Sequence, residues 1–545
     1  MDSYIKSATF LLFIICFFFL FTNFEVHAEQ IRLSGDNRFE TAAAISKEGW
    51  ETSETVILAQ ASDFPDALAS VPLAKKLNSP ILLTQPQNLP NETIDEIKRL
   101  TAKHVIILGG PLAVSKSIED YLTNTMKVSV KRIGGENRFK TAEAIANELG
   151  QYDKAFIVNA YNFPDALSIA PYAAITGSAI LISNSDTLTM EMKQAALKAS
   201  ERYVIGGTAA IKDSIATELK AKRIAGSNRY GTSANILKAF YKTQPNLYFT
   251  TGVQFSDALS GSALAAKNSS GIALVKPNEI PAEIEGILSN YQVSKSFILG
   301  GTQAIDSETS ANLDSKVIYE ITDKSKPVIF YSPHADDELL AAGAGIDFYL
   351  NKGFDVHVVL MTDGEASDVY KKLQSIYPDM TLDEFGEARV REFKDAVSRL
   401  GVKDSNIHIY NYPDSGLTVE NVKSVILEFE NKFPGAEHRA LSFEETHSDH
   451  LATGIALNDL YWSGKVKNAR FYISPYLQNQ INGFYLKPIS PGNLLDALYA
   501  YKLYNPDEGR YSIGYLSVPE LFNTVENEPL SKVEMPNKNF VDTKD

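Results

Sequence analysis

A ten-residue signature occurs three times in this 545-residue chain, and it limits the fold more than any other feature. Arg32-Leu-Ser-Gly-Asp-Asn-Arg-Phe-Glu-Thr41 returns as Arg132-Ile-Gly-Gly-Glu-Asn-Arg-Phe-Lys-Thr141 and as Arg223-Ile-Ala-Gly-Ser-Asn-Arg-Tyr-Gly-Thr232. Two further markers keep step. Phe64-Pro-Asp66, Phe163-Pro-Asp165 and Phe255-Ser-Asp257 are each followed by Ala-Leu, and glycine pairs stand at 109–110, 206–207 and 300–301. The first arginine precedes the aspartate by 34, 33 and 34 residues, and the copies are 91–100 residues apart. That period is domain-sized, well above the roughly 20–50 residues of solenoid repeats. In the first copy, apolar runs at 55–58, 80–83 and 105–108 alternate with helical patterns at 41–49, 65–77, 92–100 and 115–123. Such alternation predicts βα units around a mostly parallel sheet. Each glycine pair follows a strand, where the backbone turns tightly or approaches a neighbour.

Hydrophobic residues at 44% and charged residues at 22% exclude wholesale disorder. Acidic residues exceed basic ones by 67 to 52, a net charge of −15, which argues against nucleic-acid binding. The start of the chain has Lys6, an apolar run over 8–21 and Val26-His27-Ala28. This pattern predicts a secretory signal peptide over 1–28, cut after Ala28, with the membrane met only through that segment before cleavage; the alternative is an uncleaved membrane anchor, for which the run is short. The only cysteine, Cys16, lies inside it, so an exported mature chain has no disulfides or thiolate metal sites.

Of the seven histidines after Ala28, only His104 lies in the repeats, and the other six follow Pro327. Beyond a charged linker at 323–326, the run 328–331 reads as a buried strand. It leads into Pro333-His334-Ala335-Asp336-Asp337-Glu338 and a helical pattern at 339–350. His334 and both aspartates are thus expected on a loop at the C-terminal end of a strand, where open α/β sheets bind ligands. Far downstream, His447-Ser448-Asp449-His450 sets two histidines three apart, on one face of a helical turn. Imidazole with carboxylate suits zinc, and three protein ligands leave a position for water, whereas either motif taken alone fits a loop-capping aspartate pair and a solvent histidine equally well. His357 and His408, in strand-like runs, and His438, in an expected loop, read as structural. The stretch from Leu530 reads as a frayed end.

The tripled markers resemble the type-2 cell-wall-binding repeats of Gram-positive surface proteins. The resemblance implies three Rossmann-like or flavodoxin-like α/β units in a pseudo-threefold arrangement, attached without covalent bonds to an anionic secondary cell-wall polymer. Asn37, Asn137 and Asn228 read as helix caps. Arg38, Arg138 and Arg229 read as polymer ligands or as bridges between copies, with the structural role favoured. The histidine and aspartate motifs resemble those of the LmbE-like (PIG-L) N-acetylglucosaminyl deacetylases. Thr362-Asp-Gly-Glu365, Arg389-x-x-Glu392 and Tyr412-Pro-Asp414-Ser-Gly-Leu417 match in order, and Ser448 stands where proline is common. This second resemblance implies a Rossmann-like α/β domain that binds Zn2+ through His334, Asp337 and His450. Asp336 would be the general base, and His447 would stabilise the oxyanion or assist the leaving amine. Glu365, Arg389 and Asp414 would contact sugar hydroxyls, or else serve as a helix cap, a surface ion pair and a turn residue.

The expected organisation is a signal peptide at 1–28, repeats at 29–126, 127–218 and 219–317, and a deacetylase domain at 318–545. The function it implies is a secreted, wall-attached zinc deacetylase acting on N-acetylglucosamine-containing glycans. The alternatives are an inactive wall-anchored adhesion protein and a zinc amidase for a small glucosaminide or conjugate.

Overall fold

The computed structural model describes residues 29–63 and 65–540. The expected leader with Cys16, and Phe64 of the first aspartate marker, lie outside the described residues. Among the described residues no helix is long and apolar enough to cross a membrane.

The copies build three four-stranded parallel sheets. The first runs Ile81–Thr84, Thr55–Gln60, His104–Leu108, Ser129–Ile133, so its last strand comes from the start of the second copy. Lys222–Ile224 likewise completes the sheet of Lys154–Asn159, Ala179–Ser183 and Glu201–Ile205. Glu29–Leu33 pairs with Lys295–Leu299 in the third sheet, beside Asn246–Thr251 and Gly271–Val275. Each signature therefore opens on a strand of the preceding copy's sheet, and the first closes on the last.

The markers hold this exchange together. Arg32, Arg132 and Arg223 donate from Nη1 to the carbonyls of Gly300, Gly109 and Gly206 at 2.9, 3.0 and 2.6 Å. These three glycines have φ of +101°, +88° and +105°. A Cβ on any of them would lie 2.3–2.4 Å from Oδ2 of Asp257, Asp66 or Asp165, so the aspartate marker docks where only glycine fits. Arg38 and Arg138 donate to the carbonyls of Ala61 and Ala160 at 2.5 and 2.8 Å, and Arg229 makes the same bond to Gly252. Asn37, Asn137 and Asn228 cap the helices that follow. At the centre, Val71–Lys76, Phe163–Ile175 and Ser256–Lys267 pack on one another. The first of these is shorter than the pattern at 65–77 suggests, because Ser70 folds its N–H and hydroxyl back onto the Ala67 carbonyl.

The C-terminal sheet has seven strands in the order Ile407–Tyr412, Val356–Thr362, Val328–Ser332, Glu437–Leu441, Asn468–Ile473, Ser531–Glu534, Phe484–Leu486. The first five are parallel and the last two pair antiparallel. Chain direction across the sheet reverses at Val328–Ser332, so the loop after this strand opens at a topological switch point. Two expectations are corrected. His438 lies in a central strand rather than a loop: Tyr331 and Glu430 satisfy its ring, and Arg439 beside it pairs with Glu437 at 2.8 Å. The stretch after Leu530 is not frayed but supplies the buried strand Ser531–Glu534. Lys532 there donates to the carbonyls of Gln478 and Ile481. Both segments look polar in sequence, and both are buried, with the His438 ring and the Lys532 ammonium paired by partners from elsewhere in the domain.

Candidate metal centre and catalytic cavity

The loop after Val328–Ser332 is tied at every step. Pro333 O accepts from the N–H and hydroxyl of Thr362, and His334 O accepts from Ser332 Oγ. Asp336 sits at φ +135°, ψ −34°, a region that L-residues occupy only when surrounding contacts over-determine it. The chain then enters the short helix Asp337–Leu340. From the other side of the switch point, His447 caps the helix Ser448–Trp462 and His450 lies in its first turn.

These elements bring three donor atoms together. His334 Nδ1 is 3.2 Å from Asp337 Oδ2 and 3.3 Å from His450 Nε2, and His450 Nε2 is 3.1 Å from Asp337 Oδ2. Bonds of roughly 2.0–2.1 Å in tetrahedral geometry place donors about 3.3–3.4 Å apart, so the triangle has the dimensions of a zinc site. Two imidazole nitrogens and a carboxylate oxygen facing one point are also the kind of donor set that zinc takes.

The surrounding carboxylates orient the ligands. His334 Nε2 faces Asp414 Oδ1 at 3.1 Å and Asp449 Oδ2 at 3.2 Å, which leaves Nδ1 toward the triangle. Asp449 also accepts the N–H groups of Ser415 and Leu417. His450 Nδ1 faces Glu445 Oε2 at 3.7 Å, and the same oxygen accepts the Tyr476 hydroxyl at 2.6 Å. Burial works against protonation of both histidines, yet the carboxylates win. They raise His334 well above the ordinary imidazole value and His450 to about 9. The centre is thus an acidic environment that favours a cation. Burial, reinforced by Asp337 and opposed by Arg389, pushes Asp336 up to about 7. Burial and the facing His450 and His334 lower His447.

A cavity of about 490 Å3 opens over the triangle, lined by His334, Asp336, Asp337, His447 and His450 among others. Asp336 and His447 therefore share the cavity with the three donors. The trio expected to contact sugar is distributed differently. Glu365 is not among the lining residues, although its neighbours Ala366 and Ser367 are. Asp414 lines the cavity but commits Oδ1 to His334 and Oδ2 to the Ala366 N–H. Arg389 lines it too, but its guanidinium donates to Gly364 O and Ala335 O, both at 2.9 Å, and lies 3.5 Å from Asp336. Arg389 and Asp414 thus tie the ligand-bearing loop at 333–337 to the loop after Val356–Thr362, while Arg389 Nε stays unpaired. Sequence reasoning assigned no role to Asp449, Glu445 or Tyr476. An acidic residue between two histidines was a usable signal for Asp449, whereas Tyr476 carries none.

A family model for cell wall binding domain 2 (CWB2) matches residues 32–119, 132–216 and 223–310, and one for GlcNAc-PI de-N-acetylase (PIG-L) matches 329–461. Three cell-wall-binding repeats precede a PIG-L domain. The three donors, Asp336 and His447 all fall inside the PIG-L match, whereas Tyr476 and the strands after it lie beyond. N-acetylmuramoyl-L-alanine amidase LytC of Bacillus subtilis is 32% identical over 321 residues, 58% of this chain and 63% of that protein. The 1D-myo-inositol 2-acetamido-2-deoxy-alpha-D-glucopyranoside deacetylase of Thermomonospora curvata is 33% identical over 85 residues, 15% of this chain and 28% of the relative. Among solved structures, Cwp6 from Clostridium difficile superposes with a TM-score of 0.52 at 22% identity, covering 76% of this chain and 64% of that one, and so shares the fold. The chain spans less than two thirds of the length of the curated relatives it matches. The repeats place it among cell-wall-associated proteins, and its PIG-L domain is deacetylase-like.

Proposed function

We propose that this chain is an exported, wall-attached zinc deacetylase that hydrolyses the N-acetyl groups of N-acetylglucosamine-containing glycans. The observation that carries the reading is the triangle of His334 Nδ1, Asp337 Oδ2 and His450 Nε2, with Asp336 and His447 on the same cavity. These three residues would hold the ion, and the sequence family supports an amide substrate on an amino sugar. Zinc bound there supplies a Lewis acid and lowers the pKa of water toward neutrality.

The remaining chemistry belongs to side chains. Asp337 is committed to the ligand triangle, so Asp336 is the carboxylate free to take the proton of the attacking water. It returns that proton to the nitrogen as the C–N bond breaks, releasing acetate and a free amine. Arg389, beside Asp336 and bonded to Ala335 O, holds this loop. His447 Nδ1 accepts the Asp449 N–H at 3.3 Å, which leaves the ring proton on Nε2. His447 therefore acts as a neutral hydrogen-bond donor to the developing oxyanion or amine. The repeats attach the enzyme to an anionic secondary wall polymer, which keeps the catalytic domain beside polymeric substrate.

The test is acetate release by the zinc-loaded protein from chito-oligosaccharides, wall fragments and small glucosaminides, with bound metal measured alongside. Turnover of small glucosaminides without turnover of either polymer would overturn the glycan substrate. Stoichiometric zinc with no turnover of any amide would leave the wall-anchoring role alone.

A further inference from the structure

Tyr501 lies beyond the PIG-L match, at the end of the helix Pro491–Ala500, and is fully buried. Its hydroxyl donates to Glu338 Oε1 at 2.6 Å. The other oxygen of that carboxylate accepts the Asp336 N–H at 3.0 Å. Asp336 is the lining residue with the strained φ of +135°. Its flanking groups are held from within the loop and by Arg389: Asp336 O accepts from Leu339 and Leu340, and Ala335 O accepts from Arg389. The N–H clamp alone reaches into the C-terminal segment. Tyr501 is itself fixed there. A Cβ on Gly514 would lie 2.5 Å from its ring, Phe522 packs edge-on at 5.6 Å, and Ser512 Oγ donates to its carbonyl at 2.9 Å. Glu392 in turn accepts the N–H groups of Ile513 and Gly514.

We propose that Tyr501 is a positioning residue for the deacetylation: through Glu338 it fixes the strained backbone of Asp336 and so aims that carboxylate into the cavity beside the three donors. This rests on the role of Asp336 proposed above. A buried Tyr–Glu pair that served only stability would not couple to Asp336, and that difference is measurable.

The experiment is a cycle in the full-length, zinc-loaded protein comprising wild type, Tyr501→Phe, Asp336→Asn and the double variant. It reads kcat, KM, bound zinc and hydrogen exchange at the Asp336 amide. Tyr501→Phe is expected to lower kcat about 10- to 100-fold with zinc retained, as loss of an outer-shell partner does. KM stays within about twofold, because ground-state binding is untouched. The Asp336 amide exchanges faster, and in the Asp336→Asn background the Tyr501 change has no further effect on rate. Equal fold-losses in both backgrounds, or unchanged exchange at Asp336, would overturn the inference. If the wild type releases no acetate from any N-acetylglucosaminide, the proposed function fails, and amide exchange alone then decides whether the clamp exists. Should Tyr501→Phe not fold, the pair Glu338→Leu/Tyr501→Phe removes the clamp while sparing the partner carboxylate and hydroxyl from burial unpaired, and enters the cycle with the same outcomes.

Discussion

Asp336→Asn separates proton transfer from metal binding. The carboxylate is 9% exposed and 3.5 Å from Arg389, and no atom of Asp336 belongs to the donor triangle. Asparagine has the same size and shape as aspartate and makes the same demand on the backbone, so the contacts that hold the loop are unchanged. The Glu338 clamp bonds the backbone N–H rather than the side chain, and it is untouched. Zinc stoichiometry should therefore match the wild type. Removing the charge relieves the cost of its burial, which outweighs the lost attraction to Arg389, so thermal stability should not fall. Only the proton acceptor disappears, which lowers kcat by about 10²–10⁴-fold, or about 2.7–5.4 kcal/mol of transition-state stabilisation. The assay is acetate release on a chito-oligosaccharide, paired with elemental analysis of the same preparation. If Asp336→Asn loses its metal while Asp337→Asn keeps it, the two aspartates have exchanged roles. If acetate release is unchanged, the cavity does not carry the activity.

His334→Ala, Asp337→Ala and His450→Ala should each lower zinc content and activity together, because two donors make a poor site; elemental analysis checks this. Asp449→Asn should weaken metal affinity about 10- to 100-fold by loosening the His334 ring, measured by competition with a chelator. Deleting residues 29–33 should strip one of the two parallel partners of Lys295–Leu299, expose that strand as a sheet edge and reduce retention on purified walls, seen by co-sedimentation. Glu534 is buried beside Ser442, and burial pushes its carboxyl up to about 8. Its folded pKa is raised, so stability falls as pH rises from the unfolded carboxylate value toward 8. Glu534→Gln should raise Tm at pH 8 and leave it nearly unchanged at pH 4, by thermal denaturation.

The repeat architecture was legible because its markers are local and tripled. The strands, helices and glycine turns at 109, 206 and 300 appear where hydrophobic period and backbone chemistry put them. The gathering of His334, Asp336, Asp337, His447 and His450 was also legible, since strand-end loops and helix caps converge at a switch point. What escaped was each element dependent on a distant partner. Glu437–Leu441 and Ser531–Glu534 look polar, yet they are buried strands in which Tyr331 and Glu430 satisfy His438, Ser442 donates to Glu534, and the carbonyls at 478 and 481 accept from Lys532.

Sequence by itself determined the repeat count, the parallel α/β class and the residue types gathered at the centre, because periodicity, glycine and ligand chemistry are written within short windows. Tertiary structure decided which sheet each repeat's first strand joins and that Glu29–Leu33 closes on Lys295–Leu299. It also decided that Arg389 and Asp414 brace the ligand loops, and that Tyr501 reaches Asp336 through Glu338. The physical reason is that a side chain's role is set by whichever donors and acceptors surround it after folding, and those lie up to hundreds of residues away along the chain.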